Sequence, residues 1–95
     1  MSDPRETPRR TIAADVQLKR SVAANYTVHA YDLSERGCKV EIIERPRLGE
    51  TVWVKFKGLE IMRATVRWTK GADAGLEFER PIDPRVLEWL LSQLR

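Results

Sequence analysis

Two short segments of this sequence carry polar residues that a folded scaffold does not require. The first holds Arg5, Arg9 and Arg10, and the second holds Asp32, Ser34 and Gly37 in the spacing Asp-x-Ser-x-x-Gly. A guanidinium group is planar and donates paired hydrogen bonds to phosphates and to base edges, whereas a carboxylate only accepts them. The two segments therefore favour the binding of a ligand over catalysis.

Residues for catalysis or metal binding are scarce. His29 is the only histidine and lies inside a strand pattern, and Cys38 is the only cysteine, so neither a disulfide within the chain nor a zinc site is expected. The carboxylates are scattered singly, and no glycine-rich phosphate loop occurs. We therefore expect a protein that is not an enzyme and that holds no metal and no cofactor.

Length and composition indicate one globular domain. The chain has 95 residues, of which 42% are hydrophobic and 33% are charged, with a net charge of +3. Its 12 Arg and 5 Lys outnumber the 14 Asp and Glu residues by only three. This small excess of positive charge does not by itself predict binding to duplex DNA. No apolar run approaches the ~20 residues of a membrane span, and no signal peptide is recognisable, so we expect a cytoplasmic protein without membrane insertion.

Hydrophobic residues alternate along most of the chain in the two-residue period of half-buried strands. The pattern predicts six short strands at 12–19, 26–33, 38–42, 51–56, 60–68 and 75–79. Asp83 and Pro84 then begin a helix over 83–94, with leucines at helical spacing. Consecutive short strands with tight turns favour an antiparallel sheet that closes into a barrel. We expect a flexible Arg/Pro arm over 1–10 and a barrel domain with its C-terminal helix over 11–95.

The predicted hairpin of the first two strands brings the two polar segments together. A turn centred on residues 22–23 places Ile12 opposite Leu33 and the end of the arm beside Glu35 and Arg36. The arm and the 32–37 turn should therefore lie at the same end of the barrel. We also expect Gly37 to close this turn with a positive φ, a conformation that strains other residues.

The order of these segments resembles the PilZ domain family of bacterial cyclic di-GMP receptors. The family signature is an Arg-x-x-x-Arg arm followed, after one strand pair, by Asp/Asn-x-Ser-x-x-Gly, and this chain carries Arg5-x-x-x-Arg9 and Asp32-x-Ser34-x-x-Gly37. The similarity continues through the segments Leu48-Gly49-Glu50, Val66-Arg67-Trp68 and Gly75-Leu76-Glu77-Phe78. It covers nearly the whole chain and suggests a PilZ domain that stands alone.

The resemblance implies a mainly β, six-stranded antiparallel barrel with a C-terminal helix, and cyclic di-GMP bound on its outer surface. It assigns Arg5 and Arg9 to base and phosphate contacts, and Arg10 can share or take over the role of Arg9. The opposite wall is assigned to Asp32, Ser34 and Gly37. We expect the ligand to order the arm and so to signal to a partner protein, whose identity the sequence does not reveal.

Two other functions stay open from the sequence. The first is a PilZ-like adaptor that binds proteins but no nucleotide. The second is a small basic barrel that binds RNA or single-stranded DNA, which needs exposed aromatic side chains for stacking. We expect no nucleic-acid binding, because the strand pattern predicts that the aromatic residues lie in the core: Trp53, Phe56, Trp68 and Phe78.

Overall fold

A computed structural model describes residues 10–21 and 24–94. Six strands are followed by one helix in the order β1 Arg10–Ser21, β2 Ala24–Leu33, β3 Gly37–Glu41, β4 Thr51–Lys55, β5 Met62–Lys70, β6 Asp73–Phe78 and α1 Pro84–Gln93. The strands are antiparallel and close into a barrel in the spatial order β1-β2-β3-β6-β5-β4. The predicted fold class, a six-stranded antiparallel barrel with a C-terminal helix, is confirmed.

The arm falls almost wholly outside the described part of the chain. Arg10, which the sequence assigned to the arm, is the first residue of β1. Arg5 and Arg9 lie outside the described residues, so the arm over 1–10 stays a prediction.

Apolar side chains from all six strands fill the barrel. In β1, Ile12, Val16 and Leu18 are buried as the alternation predicted, and Ala14 packs against the same core, while the alternate positions 13, 15 and 17 are exposed. The helix α1 adds Leu87 and Leu90 to the same core. Each such side chain contributes about 1.5–3 kcal/mol by leaving water, so the core fixes the strand register that positions the outer surface.

The register of the first hairpin differs by two residues from the prediction. Leu33 pairs with Arg10 instead of Ile12, and Asp32 pairs with Thr11. The cause is two irregularities, one between Lys19 and Ser21 and one between Thr11 and Ala14, each of which adds a residue to β1. The start of β1 nevertheless lies beside the end of β2, so Arg10 and the 32–37 turn share one end of the barrel.

Candidate ligand-binding site

A bulge near the end of β2 brings Asp32 to the outer surface. Val28 and Ala30 are buried, so strict alternation would turn Asp32 into the core as well. The pairing of β2 with β3 shifts by one residue between Ala30 and Asp32. Tyr31 and Asp32 therefore both lie on the outside, and the Asp32 side chain is 29% exposed before Leu33 returns to the core. Bulges commonly redirect side chains in this way beside functional sites.

Asp32 belongs to a polar network that spans three strands. The Lys39 Nζ of β3 lies 3.6 Å from Asp32 Oδ2 and 4.9 Å from the centre of the Tyr31 ring. Tyr31 Oη in turn donates a 2.6 Å hydrogen bond to Asp73 Oδ1 at the start of β6. This bond raises the pKa of Tyr31 well above its ordinary value, so the hydroxyl stays a donor. We call Tyr31, Asp32, Lys39 and Asp73 the outer polar network.

Sequence reasoning missed three of these four residues. The signal for Lys39 was available, because it lies between the buried Cys38 and Val40 of β3 and must therefore face outward. That it stands opposite Asp32 follows from the bulge, which alternation alone does not reveal. Asp73 is far from Tyr31 in sequence and meets it because β6 pairs with β3, the neighbour of β2.

The turn between β2 and β3 is held by its own hydrogen bonds. Ser34 is buried, its N–H donates to Gly37 O over 2.9 Å, and its Oγ accepts from the Arg36 N–H over 3.2 Å. Two further backbone bonds tie the turn to the end of β6 and to the segment after it, from Phe78 N to Arg36 O and from Ile82 N to Glu35 O, each 2.7 Å long. The turn therefore presents a fixed surface beside Asp32.

Gly37 is needed for a different reason from the one predicted. Positive φ occurs at Gly49, Gly58 and Gly71 among the described residues, so the expected positive φ at Gly37 is wrong. Gly37 begins β3 in ordinary strand conformation, and a Cβ built on it would overlap the carbonyl oxygen of Leu76 on β6. A side chain at this position would push β3 and β6 apart.

Arg10 is the one arginine of the predicted arm that the structure describes. Its backbone pairs with Leu33, while its side chain is 53% exposed and reaches Glu88 of α1 at 3.4 Å from Nη2 to Oε1. A single long contact between exposed groups holds a side chain weakly. The structure thus places Arg10, Asp32, Ser34 and Gly37 at one end of the barrel, and it leaves Arg5 and Arg9 outside the described residues.

The other groups that could do chemistry have ordinary structural surroundings. His29 Nδ1 lies 3.5 Å from Asp15 Oδ1 on the outer face. Burial raises the pKa of the Cys38 thiol to about 12, so it is not a nucleophile at neutral pH. Within residues 10–21 and 24–94, no group of His, Cys, Asp and Glu side chains could hold a metal ion. Nor does this part of the chain contain a helix that is long and apolar enough to cross a membrane.

Two of the four aromatic residues expected in the core lie elsewhere. Phe56 and Phe78 are buried as predicted, but Trp53 is half-buried and Trp68 is 37% exposed. A shift in the β5–β6 pairing between Val66 and Trp68 again puts two successive residues outside. The Trp68 ring lies against the backbone of Gly75, which has no side chain to exclude it.

Comparison with known proteins gives one family and two similar structures. The sequence profile of the PilZ domain matches residues 3–95. The fold is similar to that of the Bacillus subtilis inhibitor of motility MotI/DgrA, with a TM-score of 0.70 and 18% identity over 98% of this chain and 50% of that one. This chain thus spans about half the length of MotI/DgrA.

The second structure is the PilZ domain of CeSA from a cellulose-synthesizing bacterium. It has a TM-score of 0.64 and 19% identity over 93% of this chain and 94% of that one. At these identities both likenesses concern the fold alone. No curated protein matches this chain significantly.

Proposed function

This chain belongs to the PilZ domain family, and on that premise we propose that it is a receptor for cyclic di-GMP. PilZ domains are generally receptor or effector domains for this nucleotide, and they are regulatory binding domains rather than enzymes. The observation that carries the proposal is the outward position of Asp32, which the β2 bulge places at the end of the barrel where β1 begins.

The chemistry of guanine suits this surface. The base offers N1–H and N2–H₂ as donors, and the Asp32 carboxylate accepts them without a competing donor of its own. Its O6 and N7 accept paired hydrogen bonds from a guanidinium, and its two phosphates attract arginines. We assign these contacts to Arg5 and Arg9 of the arm, with Arg10 available because its contact with Glu88 is long and exposed.

Ser34 and Gly37 complete the wall beside Asp32. The hydrogen bond that Ser34 Oγ accepts from the Arg36 N–H supports a role in fixing the turn on which the ligand rests. Gly37 keeps β3 against β6 and so holds Lys39 and Asp32 side by side. In this proposal the two residues act mainly by keeping the site in shape before the ligand arrives.

Signalling would follow from the ordering of the arm. Residues 4–9 contain two prolines and no aliphatic or aromatic side chain, so we expect contacts with the ligand to order them. Arginines that clamp the phosphates would hold the arm against the 32–37 turn and create a new surface for a partner protein. The partner would respond because its affinity for the protein with the ordered arm differs from its affinity for the protein without ligand.

A calorimetric titration tests the proposal. The full chain is titrated with cyclic di-GMP and, separately, with a short single-stranded oligonucleotide. We expect binding of cyclic di-GMP alone, and a loss of at least tenfold in affinity in Asp32→Ala, because a hydrogen bond to a charged group contributes about 1.5–3 kcal/mol.

The matched control is Asp15→Ala, which removes an exposed carboxylate on the outer face of β1. This variant should bind like the parent. A folded parent that binds neither ligand would favour the adaptor function. Binding of the oligonucleotide alone would favour the nucleic-acid function and would contradict the proposal.

A further inference from the structure

We propose that Lys39 is a base-reading residue of this site. It donates to the lone pair of guanine O6 on the N1 side, which an arginine bound to O6 and N7 leaves free, while Asp32 accepts from the same base. The inference rests on the proposed function and extends it, because it assigns the choice of base to an ion pair between β2 and β3. Lys39 lies outside the Arg-x-x-x-Arg and Asp-x-Ser-x-x-Gly patterns.

The first support is the position of the pair. Lys39 and Asp32 are direct partners in the β2–β3 pairing, and both side chains point outward. Their exposed fractions are 32% and 29%, so a ligand can reach both, yet most of each side chain is packed. A ligand that contacts Asp32 on this surface therefore lies within reach of Lys39 as well.

The second support is the order of donor and acceptor. Along its Watson–Crick edge guanine presents O6 as an acceptor and then N1–H and N2–H₂ as donors. An ammonium group only donates and a carboxylate only accepts, so Lys39 and Asp32 match this order side by side. Two protein atoms that bind adjacent atoms of one base edge must lie ~3 Å apart. Lys39 Nζ and Asp32 Oδ2 are 3.6 Å apart, which is close to this spacing.

Adenine presents the opposite order at the same positions. It carries an amino group where guanine has O6, and its N1 is an acceptor. In the orientation that suits guanine, the ammonium of Lys39 would therefore face an amino group and the carboxylate would face a lone pair. An unpaired polar group in a binding site disfavours the wrong ligand more than a lost apolar contact does.

The third support is the way in which Lys39 is held. Its ammonium lies over the Tyr31 ring at 4.9 Å, and the ring is fixed by the hydrogen bond from its hydroxyl to Asp73. The 3.6 Å contact with Asp32 is longer than a hydrogen bond, so the ammonium group can donate to a ligand. A flexible side chain is thereby restrained on the surface before binding, which lowers the entropy lost when it contacts the base.

The test compares three ligands in calorimetric titrations of the full chain. Cyclic di-GMP carries the whole guanine edge, its hypoxanthine counterpart lacks the N2 amino group but keeps O6, and its 6-thioguanine counterpart replaces O6 by a weakly accepting sulfur. Lys39→Met should lower the affinity for the first two ligands by about tenfold and for the 6-thio ligand by less than about threefold. Lys39→Arg keeps a donor and should restore the dependence on O6.

The controls separate this inference from the proposed function. Lys57→Met removes an exposed lysine in the turn after β4, which is two strands from β2 around the barrel, and should bind all three ligands like the parent. An equal loss for all three ligands in Lys39→Met would mean a phosphate contact or support of Asp32, and would overturn the inference while the receptor function survives. Unchanged binding in Lys39→Met would overturn it likewise. A parent that binds none of the ligands would overturn both.

Discussion

Two ion pairs at opposite ends of the barrel differ in the hydrogen bonds that their charged groups make and in how exposed their side chains are. At the far end from the 32–37 turn, Arg20 and Glu50 are joined by two hydrogen bonds of 2.9 and 3.0 Å, and their side chains are only 16% and 20% exposed. Arg20 also donates to Glu44 O over 3.1 Å, and Glu50 accepts from the Arg47 N–H over 3.0 Å. The Asp32–Lys39 pair has a single contact of 3.6 Å, and its side chains are 29% and 32% exposed.

This difference indicates which pair serves the fold and which is available to a ligand. The Arg20–Glu50 pair closes the loop between β3 and β4, and a ligand would have to break good hydrogen bonds to use it. The Asp32–Lys39 pair leaves donors and an acceptor free at the surface, so a ligand gains contacts there without breaking strong ones. A formal count of ion pairs would not distinguish them; their geometry and exposure do.

The largest expected effect concerns Gly37, which lets β3, the strand of Lys39, lie against β6. Gly37→Val should destabilise the protein by about 3 kcal/mol or more, because its side chain would overlap the Leu76 carbonyl and force β3 from β6. Urea unfolding followed by circular dichroism measures this loss. Gly71→Asn is the control, since Gly71 has a φ of 59° with open space around it, and asparagine tolerates that conformation. Equal stability of Gly37→Val and the parent would show that the two strands can separate freely.

A substitution in the Arg20–Glu50 pair should lower stability and leave ligand binding unchanged. Glu50→Gln should cost about 2 kcal/mol at pH 7, because it weakens a paired contact with Arg20 that is mostly buried. Its affinity for cyclic di-GMP should equal that of the parent. Asp32→Ala should show the reverse, with lost binding and a change in unfolding free energy within about 0.5 kcal/mol. Lost binding in Glu50→Gln together with lost stability in Asp32→Ala would contradict the roles assigned to the two pairs.

The pH dependence of the unfolding free energy tests the structural role of the Arg20–Glu50 pair. The hydrogen bonds from Arg20 hold the pKa of Glu50 below its usual range near 4.3. A carboxyl group with a lowered pKa in the folded protein stabilises it fully above the unfolded pKa, and this stabilisation is lost as the pH falls through the folded pKa. The parent should therefore lose more unfolding free energy than Glu50→Gln between pH 6 and pH 3. Parallel curves for the two proteins would contradict this assignment.

The smallest expected effect lies within the outer polar network. Tyr31→Phe removes the hydroxyl that bonds to Asp73 but keeps the ring beneath Lys39. We expect a two- to threefold loss of affinity for cyclic di-GMP, because Lys39 is less restrained while its ammonium stays in place. Calorimetry measures this loss of affinity. The control is Tyr26→Phe, because Tyr26 of β2 packs against the core. A loss as large as that of Asp32→Ala would mean that Tyr31 itself contacts the ligand.

The barrel and its helix could be predicted because alternation, turn glycines and the Asp83 cap agree along the chain. The site could be predicted only in part, because its geometry depends on bulges that break the alternation. One bulge turns Asp32 outward beside Tyr31, and another exposes Trp68 beside Arg67. The same limitation hid Lys39, whose pairing with Asp32 requires the observed register. Gly37 was recognised as necessary, but the reason lies in a strand that is distant in sequence, which no local turn pattern reveals.

A nuclear magnetic resonance titration of the full chain with cyclic di-GMP tests most directly which end of the barrel binds the ligand. Backbone amide signals are followed at the end of the barrel that holds the 32–37 turn, over residues 10–12 and 31–39, and at the opposite end, over residues 44–50. We expect saturable shifts at the end with the 32–37 turn and unchanged signals at the opposite end. Shifts centred on residues 44–50, or no shift at either end at saturating ligand, would contradict it.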